Sequence, residues 1–439
     1  MKLLQLFNEY RSMFNGEEAV VRMTAALIEK HGGQAELWIQ SSRGLENSFV
    51  GKARAAVGGI YNRGAKREMA RRLAADRPEI VHAHNLYPMF SPSVLSACRD
   101  AGVPVVMSVH NHIHTCPRAD HLRRGVLCER CVGGREYNCV LSNCRENIFE
   151  SIAYAARNAV ARKLRLFRDN ANIVIALNEF ARGRLIRAGF APDQVVVLPN
   201  MVHLADTPID ASRGQYVAFS GRMSAEKGAD TLLDAAHQLP DIPMRLAGDG
   251  PALAQLQLST PSNARLLGRL QSGEMQPFYR QARFLVVPSK WFEGCPLVIS
   301  EAMSNGLPVI ASRIGGLAEL VEDGVTGLLF EPGNAAELTA KIKQLWDSPE
   351  LCRRMGTAGR AKAEREFSEE GYYQRLMAIY NRAIAMAATP GAPRPQAFGD
   401  AGPNTADEAW AKSAAEVQDL SGSGERTGDR LQPAGAPRD

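Results

Sequence analysis

Two successive series of short apolar runs, with a segment of helical period between each run and the next, leave this chain few folds to choose from. The first series reads "KLLQLF", "QAELWI", "EIVHAH", "PVVMSVH", "NIVIAL" and "QVVVLPN". Segments such as "EEAVVRMTAALIEKHG" lie between them, their apolar positions recurring at three and four. The second reads "YVAFSG", "MRLAG", "ARLLG", "RFLVVPS", "LPVIAS" and "TGLLF", again with helical segments between. Runs of strand length alternating with helices predict a parallel sheet wound with helices, here twice over. The non-periodic "MVHLADTPIDASRG" divides the two series. At 439 residues the chain exceeds what one hydrophobic core usually serves. The expected organisation is a first unit over 1–203, a linker over 204–214 and a second unit over 215–388. A final helix at about 368–386 is expected to return to the first unit. Residues 389–439, rich in Pro, Gly, Ala and Asp, read as a disordered tail, because they bury too little apolar surface to offset chain entropy.

A formal charge of +5 over this length suggests no nucleic-acid partner. The apolar run in "MKLLQLFNEYRSM" is too short for a signal-peptide core, and no window holds about 18 uncharged apolar residues. A cytoplasmic protein is the expectation. A long helix over 148–168 would carry Arg157, Arg162, Lys163, Arg165 and Arg168. That is either a solvated face or a peripheral contact with an anionic membrane surface or acceptor.

Parallel α/β units bind ligands beyond the carboxyl ends of their strands, so chemistry is sought there. In "WFEGCPLVISEAMSNGLPVIAS" a helix is expected from about Pro296 to Ser304, with Pro at its first turn. Glu293 then lies in the loop before the helix, and Glu301 roughly 7 Å along its axis. Glu301 can accept hydrogen bonds from a vicinal diol, while the free N–H groups of Gly294, Cys295 and Leu297 can hold a polar or anionic group. The alternative is a helix-dipole charge and a surface residue. "FSGRMSAEKGAD" adds Arg222 just after a strand and Lys227 just before a helix. Two cations at a sheet edge suit a diphosphate, Arg binding two oxygens and Lys acting as a point charge.

These stretches, with "LAGDGP" and "GGLAELVEDGVTGLLFEPGN", resemble the C-terminal half of the retaining glycosyltransferases of family 4. The likeness continues through "FNGEEAVV", "VHAHNLYPMFSPSVL", "VPVVMSVHNHIHTCP" and "IVIALNEFARGRLIRAGFAPDQVVVLPN", and so covers about residues 1–385. It implies the GT-B architecture, two Rossmann-like domains facing each other across a cleft. By the same resemblance Arg222 and Lys227 bind the donor diphosphate, Glu301 the ribose and Glu293 the transferred sugar. The backbone at Gly294, Cys295, Pro296 and Leu297 holds sugar hydroxyls, and no metal is required for catalysis. In the N-terminal half Gly16 is expected to bring backbone close to a phosphate, with Asn15 where the family usually has a second glycine. His110, at a strand end, matches a position that contacts the donor sugar. His82 and His84 end another strand, with core, supporting or substrate-contacting roles open.

Six of the eight cysteines fall between Cys98 and Cys144. Cys128 and Cys131 form a CxxC, and Cys116 with Cys139 or Cys144 can complete a tetrahedral thiolate site. The set Cys116, Cys128, Cys131 and Cys144 is thus a candidate for structural zinc in an insert over about 111–147, against the alternative of reduced thiols in a packed loop. A subgroup of the family shares such an insert.

The function expected is transfer of a sugar from a nucleotide-sugar donor to a hydroxyl of a glycan or lipid-linked acceptor, with retention, in surface polysaccharide or glycolipid synthesis. Retention allows a double displacement or a same-face substitution. The second is favoured because no further carboxylate is aimed at the anomeric carbon. The competing readings are a glycosidase using Glu293 and Glu301, and a non-catalytic zinc-bearing module for glycans or anionic polymers.

Overall fold

The computed structural model describes residues 1–9, 16–42, 44, 51 and 58–388. The first half contains strands β1 (Lys2–Glu9), β2 (Gln34–Ser41), β3 (Ile80–Ala83), β4 (Val105–Val109), β5 (Leu122–Arg123), β6 (Val126–Leu127), β7 (Ile173–Ala176) and β8 (Val195–Val197). Six of them form a sheet in the order β2-β1-β3-β4-β7-β8, every pair parallel, while β5 and β6 form a separate antiparallel ribbon inside the cysteine-rich insert. The second half contains β9 (Tyr216–Ser220), β10 (Met244–Ala247), β11 (Ala264–Gly268), β12 (Ala282–Val287), β13 (Val309–Ser312) and β14 (Gly327–Phe330). They form a second parallel sheet in the order β11-β10-β9-β12-β13-β14. The apolar runs read from the sequence are these strands, nearly continuous in hydrophobicity because helices cover both faces.

In each sheet the chain moves outward on one side of its first strand and then crosses to the other. The switch falls between β1 and β3 in the first sheet and between β9 and β12 in the second. Crevices open at such points, and the segments following these four strands carry Gly16, His84, Arg222 and Glu293.

The last helix, Glu369–Ala388, places Tyr372, Leu376, Tyr380 and Ala383 among Leu3, Ile80, Val106 and Ile173 of the first sheet's core. The chain thus returns from the second sheet to the first. A bridge between Val202 and Ser368 and a Val202 N–H···O=C Phe367 bond of 2.8 Å fasten the crossing. The connecting segment is itself tied down, Ala205 N–H donating to Ser304 Oγ at 2.7 Å and Ile209 N–H to the Asn305 carbonyl at 2.8 Å. Among the described residues no helix is long and apolar enough to cross a membrane.

One helix differs from expectation. The segment expected over 148–168 stops at Lys163, and Arg165 adopts a left-handed φ of 51°. Its charges are largely consumed by neighbours. Buried Arg157 donates to the Pro117 carbonyl at 3.0 Å and lies over the Tyr87 and Tyr154 rings. Arg162 grips both oxygens of Glu136 at 2.6 and 3.1 Å, and Arg168 donates to the Gly189 carbonyl. Of the five cations only Lys163 and Arg165 are exposed, Arg157 being buried and Arg162 and Arg168 partly buried.

Candidate active site

The segment after β12 turns back on itself to present Glu293, and then starts the helix Leu297–Ser304, with Pro296 as its N-cap at φ −67°. Glu293 is 6% exposed, and one of its oxygens, Oε1, accepts three hydrogen bonds. They come from Lys227 Nζ at 2.7 Å, Ser289 Oγ at 2.7 Å and Trp291 Nε1 at 2.8 Å. Burial alone would raise its pKa, but the Lys227 charge and these donors outweigh burial and hold it below the usual carboxylate range. Glu293 is thus an anion at neutral pH with one oxygen fixed.

Lys227 reaches it from a 3-10 turn, Ala225–Lys227, that follows β9. The turn ends at Gly228, whose φ of 70° is left-handed. A Cβ there would lie 1.9 Å from the Pro288 carbonyl oxygen, so the two loops meet only because this residue is glycine. Arg222, at the exit of β9, is half exposed and engages Ser224 Oγ at 3.2 Å together with the Glu226 carboxylate. It therefore stands beside Lys227 on the same loop, held by residues two and four positions on.

Glu301 lies on the helix, and its Oε2 accepts a 2.8 Å bond from the buried Tyr279 hydroxyl. Burial raises its pKa, a shift that the Tyr279 bond partly offsets. The two glutamates thus occupy different environments, as the division at Pro296 suggested.

The N-terminal half closes on this loop. A Cβ at Gly294 would lie 3.1 Å from the His110 carbonyl oxygen, and the Gly294 carbonyl accepts a 2.5 Å bond from Asn178 Nδ2. Asn200 Nδ2 donates to the carbonyl of Cys295, a buried thiol whose pKa burial pushes up to about 11. Gly16 opens the helix Gly16–Lys30, and a Cβ on it would lie 3.9 Å from Leu297 Cδ1. The two sequence-derived donor segments are thus face to face. Asn15, the family departure, lies outside the described residues.

His110 follows β4, and its Nε2 lies 3.0 Å from His84 Nδ1. His82 belongs to the core. It is fully buried between the Tyr380 hydroxyl, 2.7 Å from Nδ1, and Ser108 Oγ, 2.8 Å from Nε2.

Sequence reading missed several residues. Phe292 packs on His112, His121 and Phe180 of the other half, and buried Arg184 lies between the Phe180 and Phe292 rings at 4.4 and 4.3 Å. Arg184 also pairs with Glu129, between Cys128 and Cys131, so the cysteine insert braces the Glu293 loop. Glu319 accepts the N–H groups of Glu179 and Phe180 at 2.8 and 2.7 Å across the same junction. Glu17 is a carboxyl in the cleft whose pKa burial pushes up to about 7, a shift opposed by a hydrogen bond with Asn111. No local signal marks these residues, because their partners lie far along the chain.

All eight cysteines are free thiols. Cys131 and Cys139 pack with Ala155, and Cys144 lies against them. Burial first, then the neighbouring thiols, pushes the pKa of Cys131 and Cys139 up to about 12. Among the described residues no group of three His, Cys, Asp or Glu side chains is arranged to hold a metal ion.

Comparisons with known proteins agree with this architecture. Residues 14–206 match the family described as Glycosyltransferase Family 4, and residues 209–362 match Glycosyl transferases group 1. An uncharacterized glycosyltransferase of Methanocaldococcus jannaschii is 37% identical over 166 residues, 37% of this chain and 46% of that protein. The chain thus spans about half the length of this relative. Alpha-maltose-1-phosphate synthase of Mycolicibacterium smegmatis is 26% identical over 347 residues, 71% of this chain and 81% of that protein. Among solved structures, Anabaena HepE in complex with UDP-glucose superposes with a TM-score of 0.60 at 18% identity, covering 87% of this chain and 100% of its own. The chain therefore has the GT-B fold, with a first half that matches Glycosyltransferase Family 4 and a second half that matches Glycosyl transferases group 1.

Proposed function

We propose that the protein transfers a sugar from a nucleotide-sugar donor to a hydroxyl of a glycan or lipid-linked acceptor, with retention and without a catalytic metal. The observation that carries this reading is the Lys227–Glu293 contact between the loops that follow β9 and β12, at the switch point of the second sheet. Lys227 and Arg222 supply fixed positive charge for a diphosphate leaving group, the role a divalent metal serves elsewhere. Glu301 offers an anchored carboxylate for a ribose diol, and the structure of similar fold that holds UDP-glucose supports a donor of this class. Glu293 meets the sugar ring. On the N-terminal side His110 shares a shallow hollow with His84, Tyr87, Asn111, His114 and Phe167, against which we place the transferred sugar of the donor. Retention then proceeds by same-face substitution, the departing diphosphate taking the acceptor's proton. Assembly of a surface polysaccharide or glycolipid is the pathway we infer.

A panel of nucleotide sugars, read by thermal stabilisation and nucleotide release, tests this. At least one donor is expected to stabilise the protein and turn over. Arg222→Ala is expected to lose most turnover, about a hundredfold, with its melting temperature little changed, since the side chain is 54% exposed. Unchanged turnover in that variant removes the phosphate assignment. Hydrolysis of simple glycosides with no nucleotide requirement would favour the glycosidase reading instead.

For the insert we propose structural zinc held by Cys116, Cys128, Cys131 and Cys144. What supports it is that the other three thiols all lie within electrostatic reach of Cys131, although the side chains must turn inward to converge. Elemental analysis of purified protein is expected to give about one zinc per chain. A value near zero leaves reduced thiols in a packed loop.

A further inference from the structure

A chain of polar side chains runs from the core of the first sheet to the cleft, and its donors and acceptors can be assigned without ambiguity. Gln5, on β1, is fully buried. Its Nε2 lies 3.2 Å from the Val21 carbonyl oxygen, which can only accept, so the amide N–H₂ faces Val21. Its Oε1 therefore faces His84 Nε2 at 2.9 Å. A carboxamide oxygen can only accept, so His84 carries its proton on Nε2. In a neutral imidazole the other nitrogen is then a lone pair, and it is His84 Nδ1 that lies 3.0 Å from His110 Nε2. His110 must donate there.

Both rings are neutral at pH 7. Burial pushes His110 down to about 4 and holds His84 well below its ordinary value, and His82 and His110 add charge repulsion at His84. His82 stacks on His84 with ring centroids 4.1 Å apart, and its own nitrogens are occupied by Tyr380 and Ser108, so it offers His84 no competing partner. Among the described residues Nδ1 of His110 has no hydrogen-bond partner, and the ring lines the hollow beside the Glu293 loop.

We infer that Gln5 and His84 are positioning residues that hold His110 as the Nε2–H tautomer, leaving Nδ1 as a hydrogen-bond acceptor for a hydroxyl group of the bound ligand. The ligand role rests on the proposed function; the tautomer does not. A lone pair at this point accepts from a sugar hydroxyl and repels phosphate or carboxylate oxygens. His110 thus selects the neutral, hydroxyl-bearing part of a ligand, while Arg222 and Lys227 select its charge. Sequence offers no hint of this, since Gln5 and His84 lie 79 positions apart.

The test is a long-range 1H–15N spectrum of ligand-free, full-length protein labelled at histidine, at pH 7.5, with His110 assigned by its absence in His110→Gln. The expected result is one neutral tautomer with Nε2 protonated and Nδ1 pyridine-like. A protonated Nδ1, or a mixture of tautomers in the unsubstituted protein, overturns the proposal whether or not the protein turns over a donor. In Gln5→Leu, which removes the acceptor for His84, a mixed His110 signal is expected, with a donor KM raised about fivefold and kcat less affected. A single Nε2–H tautomer retained in folded Gln5→Leu would remove Gln5 from the device. Should that variant fail to fold, the spectrum of the unsubstituted protein still decides.

Discussion

Lys227→Met is expected to lower turnover about a hundredfold to a thousandfold and to destabilise the fold as well, a combination that few other surface-loop lysines would give. The reason is that Lys227 serves two partners. In the proposed reaction its ammonium is a fixed charge for the leaving diphosphate. Toward the protein it is one of three donors on Glu293 Oε1, a carboxylate 7% exposed. Removing one partner of a buried pair leaves an uncompensated charge, typically worth about 3–5 kcal/mol. Here Lys227 is 23% exposed and Ser289 and Trp291 remain, so a loss of about 2 kcal/mol is the better expectation. Adding Glu293→Gln separates the two roles, because a neutral amide no longer needs the cation. The double variant is expected to recover most of the stability and none of the activity. Urea midpoints and initial rates on the single and double variants check this. Stability unchanged in Lys227→Met would show that the ion pair contributes nothing, and turnover unchanged would remove the phosphate clamp.

Much of this site was legible because its parts are local. Arg222 and Lys227 are on one loop, and Glu293 and Glu301 flank one proline at a helix start, so short stretches and family resemblance place them together. The strands were legible for a related reason: parallel strands buried on both faces are continuous apolar runs. What escaped depends on tertiary partners. Phe292 sits beside Glu293, but its meaning comes from Arg184, Phe180 and His121 of the other half. The helix Ile148–Lys163 shows the opposite failure. Its arginines look like a free basic stripe because periodicity registers charge and not the Glu136 carboxylate or Pro117 carbonyl that will neutralise or bind it. Its end escaped too, since neither Gly nor Pro follows Lys163 closely.

The N-terminal half is expected to lose stability steeply as pH falls from about 6.5 toward 4. His82, His84 and His110 are neutral in the folded protein, burial pushing His82 down to about 3, His110 to about 4 and His84 well below 6.5. His112, His114 and His121 shift the same way, again chiefly through burial. For groups whose folded pKa is depressed, the unfolded chain binds protons near pH 6.5 that the folded state refuses. Stability is therefore present above that pH and lost below it. At pH 5 each such histidine costs about 2 kcal/mol relative to pH 7.5. Carboxyls raised by burial run against them, Glu301, Glu319 and Glu331 in the second half and Glu17 in the first. Glu17, raised by burial to about 7, favours folding below about 4.5 and loses that contribution as pH rises through 7, so it offsets one histidine of the six. Glu293, held below the ordinary carboxylate value, contributes its stability throughout this window and loses it only at lower pH, so it adds no slope between pH 5 and 6.5. The measurement is the urea midpoint between pH 7.5 and 5, in the unsubstituted protein and in His82→Gln, where the amide can still meet Tyr380 or Ser108. A falling midpoint with a slope reduced by about one proton in the variant is expected. A midpoint flat across this range would mean that the histidines are protonated in the folded state, and the neutral relay from Gln5 to His110 would fall with it.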